Sequence, residues 1–565
     1  MAAQAERVGV TDGSVRPARR WAALEPLRER SFRRIWSASL LSNFGQLILG
    51  VGAAWEMTRL TPSPEMVALV QSALMLPLML VAIPAGAIAD MFDRRKVAMS
   101  GLGFATLSAT TLTVLAALGM VSPWLLLTFC FLIGAGVALY GPAWQASVIE
   151  QVKPETLPAA VALSSVSYNI ARSFGPALGG VIVVAVGAMA TFALNALFYL
   201  PLLLAFWLWR RPQVSPRLPP EAMHRAIVSG ARYAIHSEAV RNVIVRAFVS
   251  GFAGASVVAL TPLVARDLLG GDARTYGLLL GANGIGAVAG AFAVGAIRER
   301  LKPEHSAWIC ATVAGLMIIL LGLSRSPWLS ALTLLFIGSS YMLLVTLLSV
   351  GVQLSAPRWV VARALSWFQS ALTGGIAVGA WFWGATTAKW DLSTAMIVSG
   401  ASLMLTPLVG LLLPMPRVSH VDIEPAELNS EPEVGLPLTL RSGPVEIEID
   451  YRVDPADARQ FYEVMQKLQR VRLRNGAFGW SLSRDIADAR LWTERFHCPT
   501  WGDYLRQRSR LTLADRELQN RADSFHTPGP GSRVRRRLER PLGSVRWRAD
   551  TPAPSGDHMP LYPPQ

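Results

Sequence analysis

The sequence predicts an all-α membrane protein of twelve transmembrane helices in two six-helix halves, followed by a small C-terminal α+β domain. Three observations predict it: long uncharged runs, basic residues confined to alternate loops, and a switch to period-two alternation after residue 442. The chain has 565 residues, 52% of them hydrophobic and only 16% charged. Soluble globular chains carry about 25% charged residues.

The event that repeats is plainest at residues 86–96. Residues 67–89 and 97–131 are uncharged, and between them stand Asp90, Asp93, Arg94, Arg95 and Lys96. A charge at bilayer depth costs about 2.5–3.5 kcal/mol, so this strip lies at a membrane surface, and its three basic residues put it on the cytoplasmic side. A span needs about 20 apolar residues. Twelve such runs follow, near 35–57, 66–89, 97–119, 122–143, 159–184, 187–209, 241–265, 275–297, 306–324, 327–351, 363–387 and 392–414.

Alternate loops carry the positive charge: Arg94 to Lys96, Lys153, Arg210 to Arg232, Arg298 to Lys302, Arg358 and Arg417. The intervening loops are short and poor in Lys and Arg. Twelve spans with both termini cytoplasmic satisfy this bias. It also accounts for the net charge of +15 without nucleic-acid binding. No short basic start with an apolar core is present, so no cleavable signal is expected. Cys130, Cys310 and Cys498 are scattered, which gives neither a disulfide framework nor a metal site. No phosphate-binding Gly-x-x-x-x-Gly-Lys-Ser/Thr loop occurs, and no cofactor is expected.

The chain therefore divides into an N-terminal cytoplasmic segment (1–34), a first six-helix half (35–209), a basic central loop (210–240), a second half (241–414), a proline-rich linker (415–442), a soluble domain (443–540) and a tail rich in proline and charge (541–565). The halves echo each other. Gly86-Ala-Ile-Ala-Asp90 returns as Gly295-Ala-Ile-Arg-Glu299, and Ala162-Leu-Ser164 as Ala364-Leu-Ser366, which is the mark of an internal duplication.

In the soluble domain, residues 445–453 alternate apolar with acidic and read as a strand. Asp454-Pro455 opens a helix to about residue 472, and Asn475-Gly476 signals a turn. Strands at 477–485 and 490–496, a helix at 499–522 and a strand at 532–538 complete a β-α-β-β-α-β order, the ferredoxin-like pattern.

Loop 86–96 resembles the signature between helices 2 and 3 of the major facilitator superfamily, with Asp93 where glycine is usual. Gly175-Pro-Ala-Leu-Gly-Gly180 resembles the core of the exporter-type signature, with Ala171 and Ser167 in place of its upstream glycines. The run from Gly141-Pro-Ala-Trp-Gln-Ala through Leu157-Pro-Ala-Ala-Val-Ala-Leu-Ser to Asn169-Ile-Ala-Arg-Ser-Phe-Gly-Pro resembles the bacterial branch of enterobactin exporters and transmembrane secretion effectors. The resemblance implies the major facilitator fold, an inner-membrane location, and secondary active export of a small molecule, a siderophore or a drug, with protons as the coupling ion. The soluble domain looks like the small dimeric barrels related to antibiotic-synthesis monooxygenases, which implies self-association. Two other functions stay open: a membrane-anchored sensor or scaffold whose C-terminal domain is the output, and a tethered monooxygenase-like enzyme using Trp480, Trp492, His497 and Trp501.

Several residues are candidates for function. Arg172 lies near the middle of the fifth span, where a guanidinium needs a partner, water or an anionic cargo. Tyr168 and Asn169 accompany it. Asn43, Gln71, Tyr140 and Asn283 are polar groups expected to line a cavity. Glu56 is the candidate for proton coupling, and Arg59 at i+3 is a competing ion-pair partner. The resemblance makes Asp90, Arg94 and Arg95 a cytoplasmic latch that ties the halves together in the outward-open state, mirrored by Glu299. Gly175, Pro176, Gly179 and Gly180 form a hinge or a close-packing seam, expected against the eighth span.

Overall fold

The computed structural model describes residues 22–153, 156–210, 223–357, 360–415, 432, 434–528 and 533–539. Residues 1–21 of the expected segment 1–34, the tail 541–565 and most of the linker lie outside them. The first half is α1 (Arg30–Leu60), α2 (Pro64–Met91), α3 (Arg94–Ala117), α4 (Pro123–Gln151), α5 (Leu157–Val186) and α6 (Ala188–Leu208). A shorter helix, α7 (Met223–His236), occupies the central loop. The second half is α8 (Glu238–Leu263), α9 (Ala273–Arg300), α10 (Pro303–Leu323), α11 (Pro327–Ser355), α12 (Val361–Lys389) and α13 (Leu392–Leu412).

Ten of these helices are long and apolar enough to cross a membrane. The other two long helices are α1 and α12. Their length suffices, but α1 carries Ser37, Ser39, Ser42, Asn43 and Gln46, which lowers its hydropathy. Several of the helices begin on a side-chain cap. Ser63 and Ser122 accept hydrogen bonds from the backbone of Met66 and Leu125, each followed by proline at the first helical position. Asp93, Asp272 and Asp391 cap α3, α9 and α13.

The two halves pair their helices in the same pattern. In the first, α1 packs on α5 and α6, α2 on α4, and α3 on α4 and α6. In the second, α8 packs on α12 and α13, α9 on α11, and α10 on α11 and α13. Adding seven to each helix number converts one set into the other. The two largest contacts between the halves, α2 with α12 and α5 with α9, exchange under the same operation. The short echoes in sequence thus correspond to a repeated architecture.

The joining seams are made by small residues, which let backbones approach where burial of apolar surface gives no drive. Ser72 Oγ donates to the Ala377 carbonyl at 2.7 Å and Ser370 Oγ to the Met79 carbonyl at 2.7 Å, tying α2 to α12. On the other seam, Gly180 meets Gly277.

The C-terminal unit contains β1 (Val445–Arg452), α14 (Ala458–Arg474), β2 (Phe478–Arg484), β3 (Leu491–Cys498), α15 (Trp501–Ser509), α16 (Leu513–Ser524) and β4 (Val534–Leu538). Its four strands form an antiparallel sheet in the order β2-β3-β1-β4. The single helix expected at 499–522 is two helices. Thr512 and Asp515 form a reciprocal capping box that starts α16 and ends the run begun at Trp501. Val445, Ile447, Ile449 and Tyr451 of β1 pack with Phe461, Met465 and Leu468 of α14 in one core.

Candidate functional site

The end of the bundle that carries the Arg- and Lys-bearing loops is called here the basic end; the opposite end is the far end. Arg172 stands halfway along α5. Its guanidinium Nη1 reaches the thioether of Met342, 3.7 Å away on α11 of the other half. A thioether is a weak acceptor. Among the described residues no carboxylate pairs with Arg172. Beside Met342, the Tyr341 hydroxyl donates to the Ser250 carbonyl of α8 at 3.3 Å. A cation from one half therefore lies against a neutral wall of the other at the middle of the bundle.

The remaining candidates distribute around it. Tyr168 is exposed one turn toward the basic end. Asn43 of α1 donates to Ser167 Oγ at 3.4 Å, so it bonds within its own half. Gln71 is half-buried on α2, next to the Ser72 contact with α12. Asn283 lies where α9 meets α11: a Cβ on Gly338 would come 3.0 Å from Asn283 Oδ1. Tyr140 does not join the cavity. It is buried in the core of the first half, edge-on to Phe206 at 6.2 Å, because α4 turns this face toward α6. The side chains of Asn169, Asp90 and Glu299 lie outside the described residues.

Glu56 is not a carboxylate enclosed in apolar surroundings. It lies in the last turns of α1 at the far end, 19% exposed, and pairs with Arg59 at 3.2 Å. The pairing follows from i,i+3 spacing on the helix surface.

In this conformation Arg94 and Arg95 bond within the first half. Arg94 Nη1 donates to the Ala146 carbonyl at 2.8 Å and pairs with Glu150 at 3.0 Å, both on α4. Arg95 donates to the carbonyls of Phe206, at 2.8 Å, and Trp207 at the end of α6. These bonds clamp α3, α4 and α6 of one half together. Free carbonyls at the end of α6 attract the cation. Asp93, where the family signature has glycine, accepts from the backbone N–H groups of Arg95 and Lys96 and starts α3.

The α5 glycines serve two partners. Gly175 faces Leu47 and Gly179 faces Val51, both on α1, while Gly180 meets Gly277 of α9. Gly281 approaches Ala177, as a seam with the eighth span requires, but Gly286 and Gly290 of the same helix pack on the α11 backbone instead. At the same far end Trp55 stacks on Tyr276 at 5.9 Å, and Arg266 donates to the Thr58 carbonyl at 3.0 Å.

One charged cluster escapes the sequence reading. Arg246 of α8 is 6% exposed and pairs with Glu304 of α10 at 2.8 Å. Glu304 also accepts from Trp308 Nε1 and from the backbone N–H of Met415, each at 2.8 Å. Gly410 makes the room, since a Cβ there would lie 2.5 Å from Glu304 Oε1. The signal was an arginine inside the run 241–265, the same signal that marks Arg172. Its partner falls between the predicted spans 275–297 and 306–324, two residues after Lys302, where charges read as topology alone.

In the C-terminal unit, Trp480 and His497 fall on opposite faces of the sheet. Trp480 Nε1 donates to Glu494 at 2.9 Å on the core side, where Glu494, 0% exposed, also pairs with Arg472 at 3.0 Å. The Glu494 carboxylate and its hydrogen bonds hold the Arg472 guanidinium's pKa up against the opposing effect of burial. His497 stands on the other face beside Phe478, 3.9 Å from Glu446. Trp501 belongs to the helical side. The four residues do not form one pocket. On the His497 face, Glu446, Glu448 and Asp450 of β1 form a column flanked by Arg495, Arg535 and Arg537.

A profile of the family described as "Transmembrane secretion effector" matches residues 21–542. The chain is 25% identical over 370 residues to the uncharacterized MFS-type transporter YfiS of Bacillus subtilis, covering 63% of this chain and 86% of that protein. It is 25% identical over 259 residues to the staphyloferrin A transporter of Staphylococcus aureus, covering 45% of this chain and 64% of that one. Among solved structures, an auto-inhibited POT family peptide transporter aligns with a TM-score of 0.57 at 12% identity, over 69% of this chain and 98% of its own. The nucleoside transporter NupG aligns with a TM-score of 0.56 at 11% identity, over 68% and 99%. These two likenesses establish the fold.

Proposed function

Because the chain belongs to the transmembrane secretion effector family of major facilitator transporters, we propose that it is a proton-coupled exporter of small anionic molecules, siderophores in the first place, working by alternating access. All twelve long helices span the bacterial inner membrane in this reading, with the basic end and both termini in the cytoplasm. The conformation is the one open to the cytoplasm. What supports this is where the halves meet: Gly180 on Gly277, Trp55 on Tyr276 and Arg266 on the Thr58 carbonyl all lie at the far end. The C-terminal unit is ferredoxin-like by its strand order, and its outer sheet face is the surface for self-association.

The observation that carries the cargo class is Arg172. A guanidinium near mid-membrane that, among the described residues, bonds a thioether and pairs with no carboxylate is a strong donor waiting for a strong acceptor. A cargo carboxylate or hydroxamate would take the place of Met342 and tie one half to the other. A relative named as a staphyloferrin A transporter agrees with cargo rich in carboxylates. With Glu56 at a helix end, the coupling proton is carried elsewhere in the cavity. The tethered-enzyme alternative falls with the family, whose members here are transporters.

The test uses inside-out vesicles with an acidified lumen. Adding an anionic siderophore should trigger proton release from vesicles that contain the protein. No release with anionic siderophores, together with release on adding cationic dyes, would replace the cargo class. No release with either, from vesicles shown to hold the protein, would remove proton coupling.

A further inference from the structure

We propose that the C-terminal unit is a brake: docked on α7, it holds the two halves in the conformation open at the basic end. The proposal rests on the alternating-access reading above.

Helix α7 is the hub. It packs against α2 of the first half, α8 and α12 of the second, and α14 of the C-terminal unit. On the membrane side, Tyr233 donates to the Ser355 carbonyl at the end of α11 at 3.3 Å, and Gly230 lies against Arg363 and Trp367 of α12. This wedge at the basic end touches both halves. When the far ends part, the basic ends must approach, and α7 must shift or be released.

What fixes α7 is the C-terminal unit. The Arg474 guanidinium lies over the Tyr233 ring at 5.5 Å, and Asp515 holds that guanidinium at 2.5 Å. Arg470 pairs with Glu238, the first residue of α8, at 3.6 Å. Arg232 of α7 is sheltered by the unit, and the Asp503 carboxylate partly offsets the cost of burying its charge. Gly476 ends α14 with φ +112°, a conformation that favours glycine, and brings the chain to the Arg232 guanidinium. Of these contacts the Arg470–Glu238 pair is the exposed one; such a pair is weak and screened by salt, which suits a restraint that must come off.

The linker is tethered on the same half. Glu304, paired with Arg246, accepts the Met415 N–H, and Asn242 Nδ2 donates to the Pro414 carbonyl at 3.3 Å. The unit is therefore anchored to the second half at Met415 and reaches the first through α7. Release of the α7 contacts leaves the unit attached while the wedge becomes free.

The test places spin labels at Lys153 and Lys302, exposed positions at the basic end of opposite halves. The native cysteines are buried and stay unlabelled. The full-length protein in lipid nanodiscs is compared with the double variant Arg232→Glu, Glu238→Arg, which reverses charge on the transporter side and leaves the C-terminal unit's own residues intact. Short-distance, basic-end-closed molecules should increase roughly three- to tenfold. Pairing Glu238→Arg with Arg470→Glu should bring them back toward the native fraction. A bismaleimide bridge between Glu238→Cys and Arg470→Cys should abolish them. If closed molecules are present but equally abundant in every sample, or if Glu238→Arg with Arg470→Glu gives as many of them as Glu238→Arg alone, measured alongside, the brake is overturned. If closed molecules occur in none, including at high salt, the alternating-access reading fails and the brake with it.

Discussion

A Cβ added to Gly180 would lie 2.4 Å from the Cα of Gly277, so α5 and α9 touch backbone to backbone at the far end. No larger residue fits without parting the two halves. Overpacking of this kind costs about 1–3 kcal/mol, and here it falls only on the state in which the far ends meet. Gly180→Val should therefore move the population toward far-end opening by about tenfold, the factor that 1.4 kcal/mol represents. Labels at Arg59 and Lys389 should report longer distances. An unchanged distribution in a well-folded variant would mean that the seam does not set the equilibrium.

The cap at α3 makes a separable prediction. Asp93→Ala strands the N–H groups of Arg95 and Lys96 and should destabilise the first half by about 1 kcal/mol, whereas Asp93→Gly should lose only a few tenths. Thermal melts in detergent check the order. Equal losses would mean that the aspartate contributes through its charge and not through its cap.

The Arg246–Glu304 pair should respond asymmetrically. Glu304→Gln leaves a buried guanidinium without its anion and should destabilise by about 3 kcal/mol, while Arg246→Met with Glu304→Leu together should cost much less. Trp308 also donates to Glu304, and thermal melts of the single and double variants in detergent check the order. A double variant as unstable as the single one would contradict the pairing as the source of the loss.

His526 gives a pH signature. Burial first, then the nearby Arg533 guanidinium, lowers its imidazole pKa below 6.5, and its Nδ1 accepts from the Arg452 N–H at 2.9 Å. The unfolded chain then binds the proton first. The contribution is complete above about pH 6.5 and is lost as pH falls from there through the lowered folded value. Exchange protection of the β1 amides, corrected for intrinsic rate, should weaken below pH 6.5 in the full-length protein. His526→Asn, which keeps an acceptor near Nδ1, should flatten the dependence. A native protein with no slope in that window would contradict it.

The spans were legible because hydropathy and loop charge act residue by residue. The same holds for β1, whose alternation of Val445, Ile447 and Ile449 with acids needs no partner to be seen. What could not be read depends on contacts across the sequence. The pairing of Arg94 with Glu150, 56 positions away on α4, needs the fold to be seen. Tyr140 looked like a cavity residue until α6 supplied Phe206. Thr512 looked like mid-helix because its capping box needs only Asp515, a residue equally at home inside a helix. Arg172 was legible as an anomaly, but the identity of its neighbour was not, since Met342 is an ordinary residue of an apolar run.

The central claim is that Arg172 receives an anionic cargo between the halves. The most direct measurement is the thermal shift of purified protein with a citrate-type carboxylate siderophore and with a cationic dye, in the native chain and in Arg172→Ala. The account predicts that the siderophore raises the melting temperature of the native chain and leaves Arg172→Ala unmoved, while any shift from the dye is the same in both. An equal siderophore shift in the two proteins would contradict it.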